Sequence, residues 1–330
     1  MKSRHVLAAV LVAVIWGSNF VAIRLGLHDV PPLVLTALRF ALVAFPLMLF
    51  VPRPAVSWRV LLGVGLFMNA GHLGFSYLAM SLGLPTGLAP LILQSQVLFT
   101  ILLAAVFLRE RPGRVQLAGV LVGAAGLLVV VLSRASFAAF VPVLLTLAGG
   151  LCWGIGNVVS RAAKGVNPFG LVVWSAATVP LPLLILDMVQ NGPEDPFRAV
   201  AAMTPLAWGS TLFTVLVSTL LAFTLWNGLL HAYPAWRVTP FALLIPVVGM
   251  TAGWLAFGEV PGVWDLAGGA VLLSGVAVTQ LGGALSRTAG TTAASGLSRG
   301  PQPEVSEESV AGGSARRDAV TASTASPGTP

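Results

Sequence analysis

Residues Pro85 to Gly126, PTGLAPLILQSQVLFTILLAAVFLRERPGRVQLAGVLVGAAG, contain a pattern that occurs twice in the chain. The second copy lies 149 residues further on, close to the C-terminus. The matched positions are Glu110, Pro112, Gly113, Leu117 to Gly119 and Gly126, which recur as Glu259, Pro261, Gly262, Leu266 to Gly268 and Gly275. Such a long-range repeat indicates that the chain consists of two copies of one structural unit.

A second set of matches marks the beginning of each copy. Trp16, Gly17 and Arg24 recur as Trp153, Gly154 and Arg161, in each case 137 residues later. From these matches we place the first unit at residues 1–136 and the second at 137–285.

The composition is typical of a membrane protein. Hydrophobic residues make up 56% of the chain and charged residues only 9%, whereas about a quarter of the residues are charged in soluble domains. A helix needs roughly 20 apolar residues to cross a bilayer, and ten runs of suitable length precede residue 285. These runs are 6–26, 33–51, 59–80, 86–108, 115–133, 140–160, 169–189, 206–230, 237–257 and 264–284. We therefore predict an all-α membrane protein with ten transmembrane helices.

The distribution of positive charge predicts the orientation of these helices. With the N-terminus in the cytoplasm, 14 of the 18 Lys and Arg fall on the cytoplasmic side. Arg24, Arg134 and Arg198 then lie outside, and Arg39 lies within the second helix. The positive-inside rule therefore predicts that both termini are cytoplasmic. It also explains the net charge of +7 without a nucleic-acid partner.

Five helices per unit is an odd number, so the two units must be inverted relative to each other. The residues around the repeated glutamate agree with this inversion, because three arginines near Glu110 are replaced by uncharged residues near Glu259. The arginines are Arg109, Arg111 and Arg114, and their replacements are Gly258, Val260 and Val263. Inverted repeats suit alternating access around a site near the membrane midplane.

The segment after Ser286 differs in composition from the rest of the chain. It is rich in Ser, Thr, Ala, Gly and Pro and has few large apolar residues. We therefore predict that residues 286–330 form a disordered cytoplasmic tail.

Glycines recur at helical spacing, for example Gly119 and Gly126 in the first unit. Small residues let transmembrane helices approach closely. We favour packing within one chain, but a dimer face is also open, so the protein is predicted to be a monomer or a homodimer.

His72 is an ionisable residue well inside the third apolar run, and such residues are functional candidates in a membrane. Asn69, His72 and Ser76 follow an i, i+3, i+7 spacing that predicts a polar face on this helix. One interpretation is a substrate or proton site, since the ordinary histidine pKa is about 6.5. The other is a neutral, hydrogen-bonded histidine in the core, and both interpretations stay open.

Two glutamines follow Pro90 in the fourth run. Pro90 interrupts the helical hydrogen-bond ladder, and Gln94 and Gln96 lie just beyond it. Amides inside a membrane need partners or a wet cavity. Because the two positions cannot face the same way, we expect at least one glutamine to line a cavity. The matched segment after Pro240 contains no amide, so the predicted pathway lining is asymmetric.

Arg39 lies near the start of the second run. Its side chain can snorkel towards the outer interface, which is the interpretation we favour, or it can hold an anionic group such as a carboxylate.

Tryptophan and asparagine share a face in the first run and again in the sixth. Aromatic residues often belong to the interfacial belt, but these positions match across the repeat, and we favour cavity walls. The candidates for substrate binding or the pathway are thus Trp16, Asn19, Arg39, Asn69, His72, Gln94, Gln96, Trp153 and Asn157.

The motifs of several enzyme classes are missing from the sequence. It contains no phosphate-binding loop, no Cys or His cluster with metal-ligand spacing and no Gly-x-Ser-x-Gly elbow. The 11 carboxylates fall in loops, at helix ends or in the tail, with Asp187 the deepest, so we expect none to be buried at the membrane centre. We predict a protein that is not an enzyme and has no cofactor or metal. Proton coupling would then use His72 or a proton of the substrate.

Several segments of the chain resemble the EamA branch of the drug/metabolite transporter superfamily, and within it the exporters of O-acetylserine and cysteine. The segments are WGSNFVAIR at 16–24, PPLVLTALRF at 31–40, GLAPLILQSQ at 87–96, LRERP at 108–112 and AWRVTPFALLIPVVG at 235–249.

The resemblance implies two EamA domains in the bacterial inner membrane and export of small metabolites by alternating access. Amino acids such as cysteine or O-acetylserine are the implied substrates, and a broader metabolite or drug exporter is the alternative. A membrane-embedded enzyme and a non-transporting sensor are the competing hypotheses from other functional classes.

Overall fold

The computed structural model describes residues 1–133, 137–163 and 165–297, and all regular structure in these ranges is helical. Ten main helices occur there, and each overlaps one of the ten predicted apolar runs. They are α1 Ser3–Gly26, α2 Pro32–Met48, α3 Trp58–Ser81, α4 Leu88–Phe107, α5 Arg114–Leu132, α6 Phe137–Ser160, α7 Pro168–Asn191, α8 Pro205–Ala232, α9 Trp236–Phe257 and α10 Val263–Leu297. A short helix, Asp195–Ala201, lies between α7 and α8. Residues Met1–Thr288 form one compact unit.

Nine of the helices in the described part of the chain are long and apolar enough to cross a membrane. The chain is therefore an all-α membrane protein. The exception is α2, which has 17 residues. It ends at Met48 rather than at residue 51 because Pro52 follows, and the residue before a proline is biased away from the helical conformation.

The last helix extends beyond the predicted end of the second unit at residue 285. Its membrane-crossing part is Val263–Gly282, but the helix itself continues to Leu297. Extending an existing helix requires no new nucleation, so apolar composition alone does not set its end. The rest of the predicted tail, 298–330, lies outside the described residues, and its disorder stays a prediction.

Two helices contain π-helical segments at matched places in the two units. One segment is Val64–Gly71 in α3, and the other is Phe213–Leu221 in α8. They begin 149 residues apart, the same spacing as the sequence repeat. Because π-helical turns inside α-helices frequently mark functional sites, both segments bear on where a site lies.

The packing of the helices follows the repeat. Helix α1 packs along α9 and also contacts α8, while α6 packs along α4 and also contacts α3. Gly17 of α1 lies against Val248 of α9, and Gly154 of α6 lies against Phe99 of α4. Since Phe99 and Val248 are again 149 residues apart, the same contact is made twice.

The glycines that recur at helical spacing lie at the contact between α5 and α10 within one chain. Gly119 faces Gly275, and Gly126 faces Gly268. A Cβ atom at any of the four would overlap backbone atoms of the opposite helix, so the close approach depends on glycine.

The core and the lipid-facing surface are separated along the helices. The largest buried cluster collects side chains mainly from α1 to α4 and α10, including Leu91, Ile92 and Leu272. Large apolar side chains such as Phe107, Val189 and Leu255 are exposed on the perimeter. This distribution suits a bundle surrounded by lipid, because lipid tails are as apolar as these side chains.

Candidate substrate site

Arg39 of α2 lies inside the bundle. Helix α2 packs against α3, α7 and α8, and only 6% of Arg39 is exposed. Its Nη1 donates to the Tyr77 hydroxyl at 2.9 Å, and its Nη2 donates to Thr219 Oγ1 at 2.9 Å. The favoured prediction that Arg39 snorkels to the interface is therefore wrong, because hydrogen bonds hold the guanidinium between α3 and α8.

The positive charge of Arg39 has no carboxylate partner among the described residues. Its Nε is also buried and makes no hydrogen bond to any residue that the structure describes. Removing an ion from water costs several kcal/mol unless it is paired. An unpaired cation inside a membrane protein is therefore a functional candidate, and an anionic group is its natural complement.

A chain of hydrogen bonds extends from Arg39 to α1. Thr219 Oγ1 donates to the Thr214 carbonyl at 2.9 Å, and Thr214 Oγ1 donates to Asn19 Oδ1 at 2.9 Å. Both threonines belong to the π-helical segment of α8, whose altered winding brings their hydroxyls towards α2 and α1. The network therefore joins α1, α2, α3 and α8 around the guanidinium.

A small cavity lies beside the guanidinium of Arg39. Its volume is about 10 Å³, close to the minimum for a single water molecule. Hydroxyl groups and apolar side chains share its walls, which consist of Ala22, Ile23, Leu35, Arg39, Tyr77, Ser210, Thr211 and Thr214. We call it the Arg39 cavity. It is too small for an amino acid.

A much larger, open groove runs between α1, α8 and α9, and we call it the α1–α8–α9 groove. Its volume is about 620 Å³. Its walls are mostly apolar and consist of Ser18, Val21, Ala22, Leu25, Pro205, Leu206, Gly209, Ser210, Phe213, Ala252, Leu255 and Ala256. The groove and the Arg39 cavity share Ala22 and Ser210, so the two spaces are adjacent.

A second buried cluster surrounds His72, where α3 meets α6. His72 Nδ1 lies 3.1 Å from the Gly149 carbonyl oxygen, and its ring packs on Trp153 with the ring centroids 4.7 Å apart. A carbonyl only accepts hydrogen bonds, so Nδ1 carries the proton. Ser76 donates to the His72 carbonyl at 2.6 Å. His72 is thus a hydrogen-bonded side chain in a contact between two helices.

Ion pairs join the two units at both ends of α4. Glu259 accepts hydrogen bonds from Arg24, from Thr86 Oγ1 at 3.2 Å and from the Gly87 backbone N–H at 3.3 Å, next to the start of α4. At the other end of α4, Arg161 donates to Glu110 at 2.6 Å. In each ion pair, the arginine of one unit thus bonds to the glutamate of the other unit.

The end of the bundle that contains Glu259 is also tied at Asp29, in the loop after α1. The hydroxyl and the backbone N–H of Thr204 donate to Asp29, and His28 Nδ1 lies 3.0 Å from its other oxygen. The pKa of the Asp29 carboxyl lies below its ordinary value. The hydrogen bond from the Thr204 hydroxyl lowers it most, and the hydrogen bond from His28 lowers it further.

Comparison with known proteins identifies the family. The model of the EamA-like transporter family matches residues 3–132 and 141–281. The chain belongs to the EamA-like transporter family. It is therefore a transporter and not an enzyme, and it is a multi-pass membrane protein. The two matched ranges lie within the two predicted units.

The relatives of this EamA protein include transporters of amino-acid metabolites. A probable amino-acid metabolite efflux pump of Salmonella typhimurium (strain LT2) is 37% identical over 295 residues, covering 88% of this chain and 99% of the relative. A protein of the same description from Escherichia coli (strain K12) is 34% identical over 288 residues, covering 86% and 96%. A probable terminal-alkyne amino-acid exporter of Streptantibioticus cattleyicolor is 29% identical over 285 residues, covering 83% and 92%.

One solved structure has a similar fold. It has a TM-score of 0.56 and 23% sequence identity, and the match covers 85% of this chain and 98% of the solved one. At this identity the likeness concerns the fold alone.

In this EamA protein, the residues of the predicted polar face on α3 contact two different helices. Asn69 donates to Ser175 Oγ of α7 at 3.1 Å, whereas His72 and Ser76 lie towards Gly149 of α6. The prediction of one shared face is wrong because the π-helical segment ends at Gly71, between Asn69 and His72, and changes the angular spacing there.

The two predicted glutamines lie at a break between two helical segments of α4. Gln94 is buried, and its Nε2 lies 3.5 Å from the Ala242 carbonyl of α9. Gln96 Oε1 and Ser95 Oγ are buried and have no hydrogen-bond partner in the described part of the chain. Neither glutamine lines the Arg39 cavity or the α1–α8–α9 groove, so a role in the pathway stays a prediction.

The remaining candidates make contacts between helices. Trp16 Nε1 donates to the Ser218 carbonyl at 2.9 Å, and its ring packs on Trp226. Asn157 donates to Thr100 Oγ1 at 3.0 Å. Of the nine candidate residues, Arg39 lines the Arg39 cavity, and Asn19 reaches it through Thr214.

Sequence reasoning missed the hydroxyl partners of Arg39. Tyr77 is one of only two tyrosines in the chain and lies in an apolar run, which could have marked it as a candidate. Thr214 and Thr219 carry no such signal, because single threonines are common in transmembrane helices.

Two carboxylates at helix ends are buried. Asp187 near the end of α7 and Asp265 at the start of α10 are almost fully buried. Asp187 accepts a hydrogen bond from Asn191 at 3.0 Å, and Asp265 accepts one from the Gly262 N–H at 3.0 Å. Both lie near helix ends, as predicted, and each accepts a local hydrogen bond.

Proposed function

We propose that the protein is a secondary transporter of the bacterial inner membrane that exports small amino-acid metabolites, with cysteine and O-acetylserine as representative substrates. It works by alternating access between two inverted five-helix units, with ten membrane-spanning helices and both termini in the cytoplasm. The efflux-pump relatives, which match nearly the whole of their own length, support the substrate class.

The positions of the two ion pairs between the units support the inverted arrangement. Arg24 is bonded to Glu259, and Arg161 to Glu110, at opposite ends of α4. Two units in the same orientation would bring equivalent residues to the same end. The three arginines around Glu110 and the uncharged residues around Glu259 assign the Glu110 end to the cytoplasm.

The single observation that carries the substrate proposal is the unpaired guanidinium of Arg39 at the Arg39 cavity. Every amino acid has a carboxylate, and a carboxylate matches the fork of a guanidinium in charge and shape. The hydroxyls of Ser210 and Thr211 border the same cavity and supply oxygen acceptors for an ammonium group. Arg39 thus offers the carboxylate of an amino acid a strong ionic contact.

The conformation described is closed at the outer end. Glu259 bonds to α1 and to the start of α4, and Asp29 bonds to the start of α8. The cytoplasmic end has the more exposed pair Arg161–Glu110. We infer that substrate enters from the cytoplasm and that release requires the Glu259 contacts to break. A proton carried by the substrate, or the substrate's own gradient, supplies the driving force.

A broader metabolite or drug exporter is the second candidate. The observation that favours it is the α1–α8–α9 groove, whose volume exceeds the needs of cysteine. A substrate range that includes neutral drugs without a carboxylate would identify this alternative.

Counterflow in proteoliposomes tests the proposal. Vesicles are loaded with unlabelled cysteine or O-acetylserine, and uptake of the labelled compound is followed for the wild type, Arg39→Lys and Arg39→Gln. We expect uptake by the wild type, weak uptake with Arg39→Lys and none with Arg39→Gln, because lysine keeps the charge but loses the fork geometry. Uptake by folded Arg39→Gln equal to wild type would refute Arg39 as the carboxylate site. No uptake by folded wild type would refute these substrates.

A further inference from the structure

We propose that Asp187 and Asp195 share one proton and form a proton-binding site where α7 meets the short helix Asp195–Ala201. Asp187 lies near the end of α7, and Asp195 is the first residue of the short helix. The site is separate from the Arg39 cavity, whose walls contain neither carboxylate. Its position at the outer end of the bundle rests on the orientation in the proposed function, whereas the shared proton does not.

Two carboxyl groups face each other at this point without a donor between them. The side chains of Asp187 and Asp195 lie within hydrogen-bonding range of each other. Oδ2 of each is buried and accepts no hydrogen bond from any described residue, and Asp187 as a whole is only 1% exposed. Asn191 donates to the other oxygen of Asp187, Oδ1, at 3.0 Å. Two ionised carboxylates in contact and shielded from water would repel each other strongly.

A single proton removes this repulsion. On one carboxyl it forms an O–H group that donates to the other carboxylate, so both buried Oδ2 atoms gain a partner. The pair then carries one negative charge instead of two. Carboxylates in contact share a proton in this way because both cannot stay ionised, and the resulting hydrogen bond to an ionised oxygen is a strong one.

Asp265 shows how a carboxylate is buried without such a proton. It is 2% exposed, close to the value for Asp187. Ser133 Oγ donates to its Oδ1 at 3.1 Å, and the Gly262 backbone N–H donates to its Oδ2 at 3.0 Å. The protein thus supplies a donor to each oxygen of Asp265. Burial alone therefore does not indicate a proton site, but burial with no donor at two facing oxygens does.

The nearby cations do not neutralise the pair. The C-terminal half of α7 packs against α2 and against the short helix. The charged side chain of α2 is Arg39, whose hydrogen bonds go to hydroxyl groups of α3 and α8. The cation of the short helix is Arg198, which bonds to Glu194. Among the described residues, neither arginine forms an ion pair with Asp187 or Asp195.

A metal ion fits this place less well than a proton. Calcium takes about six to eight oxygen ligands, and the described residues contain no group of three or more His, Cys, Asp or Glu that could hold a metal. Asn191 also turns its Nδ2 towards Asp187, and such a donor repels a cation. A proton needs only the two oxygens that face each other.

The shared proton would connect α7 to the segment that leads into α8. After the short helix, Thr204 donates to Asp29 in the loop after α1. The segment is thus held at one end by Asp29 and at the other by the Asp187–Asp195 pair. Release of the proton would leave two negative charges in contact and loosen the short helix from α7.

Infrared spectroscopy of the purified protein in detergent tests the site, because a protonated carboxyl has a C=O band that moves in D₂O. We expect this band at about pH 7, above the ordinary range of a carboxyl, in the wild type and in the control Asp265→Asn. It should be absent from Asp187→Asn and from Asp195→Asn, since an asparagine amide donates in place of the proton.

Thermal unfolding provides a second measurement on the same proteins. Raising the pH from about 6 to 9, where ordinary carboxyls are already ionised, should lower the midpoint of the wild type by about 2 °C or more. The proton is then released and the two carboxylates repel each other. The decrease should be clearly smaller in Asp195→Asn, which has no proton to lose at this contact, and unchanged in Asp265→Asn.

A wild type without the band, or a band that survives in either Asp187→Asn or Asp195→Asn, would overturn the shared proton. Equal decreases of the midpoint in the wild type and in Asp195→Asn would overturn it as well. If a metal ion held the pair instead, the band would be missing and EDTA would lower the midpoint of the wild type. Failure of the proposed function appears as absent counterflow and leaves both of these measurements unchanged.

Discussion

Arg24 at the end of α1 and Glu259 just beyond α9 form an ion pair that connects the first unit to the second. Glu259 is the more buried member of the pair, and it also accepts hydrogen bonds from Thr86 and from the Gly87 N–H. The repeat-related pair, Arg161 with Glu110, has both side chains about half exposed. Equivalent residues thus make a strong contact at one end of the bundle and a weak one at the other.

This difference predicts unequal effects of neutralising the two glutamates. Glu259→Gln is expected to lower stability by about 1–3 kcal/mol, because buried groups then lose charge-assisted partners. Glu110→Gln is expected to cost under about 1 kcal/mol, since an exposed ion pair is screened by solvent. Midpoints of thermal unfolding in detergent give the comparison. Equal shifts for the two variants would show that the two ends are held equally.

The hydroxyl of Tyr77 is predicted to position Arg39. Tyr77→Phe removes one of the two hydrogen bonds of the Arg39 guanidinium, which is then free to rotate. A hydrogen bond to a charged group contributes about 1.5–3 kcal/mol. We expect the KM of counterflow to rise at least tenfold. Tyr233→Phe is the control, because the other tyrosine lies away from the Arg39 cavity, next to His5. A similar rise in both variants would argue against a specific role of Tyr77.

Much of the architecture could be predicted from the sequence because it depends on composition and repetition. Apolar runs identify helices, and the matched glutamates and arginines predict two equivalent units. The pairing of Arg24 with Glu259 was not predictable, because it joins residues 235 positions apart whose proximity depends on how the units pack.

The candidate site was less predictable than the fold. The position of Arg39 near a helix start fits both snorkelling and burial, and the choice depends on whether α3 and α8 cover that side of α2. The π-helical segments are also decided by packing, and they move His72 and Thr219 away from the faces that regular helical spacing would predict.

The contact of Asp29 with Thr204 predicts a pH dependence at the outer end. The pKa of Asp29 is lowered in the folded protein, so its contribution to stability is present above the unfolded pKa of about 3.9 and is lost as the pH falls through the folded pKa. Asp29→Asn should therefore unfold at a lower temperature than the wild type near neutral pH, and the difference should disappear well below pH 4.

Thermal unfolding of Asp29→Asn and wild type across this pH range is the measurement, with Glu194→Gln as the control, because Glu194 is an exposed carboxylate in the turn after α7. A difference between Asp29→Asn and wild type that stays constant down to the lowest pH would exclude titration of Asp29 as its cause.

His72 is predicted to have a structural role rather than to carry protons. Its Nδ1 proton is committed to the Gly149 carbonyl, and a second proton would place a cation in a buried contact with no carboxylate bonded to it among the described residues. His72→Gln should keep the pH profile of transport between about pH 5.5 and 8, where an ordinary histidine titrates. It should also lower the unfolding temperature, because the ring contact with Trp153 contributes about 0.5–1.5 kcal/mol.

His231→Gln, at an exposed site near the end of α8, is the control for both measurements. Loss of the pH dependence in His72→Gln, with His231→Gln unchanged, would instead assign proton coupling to His72.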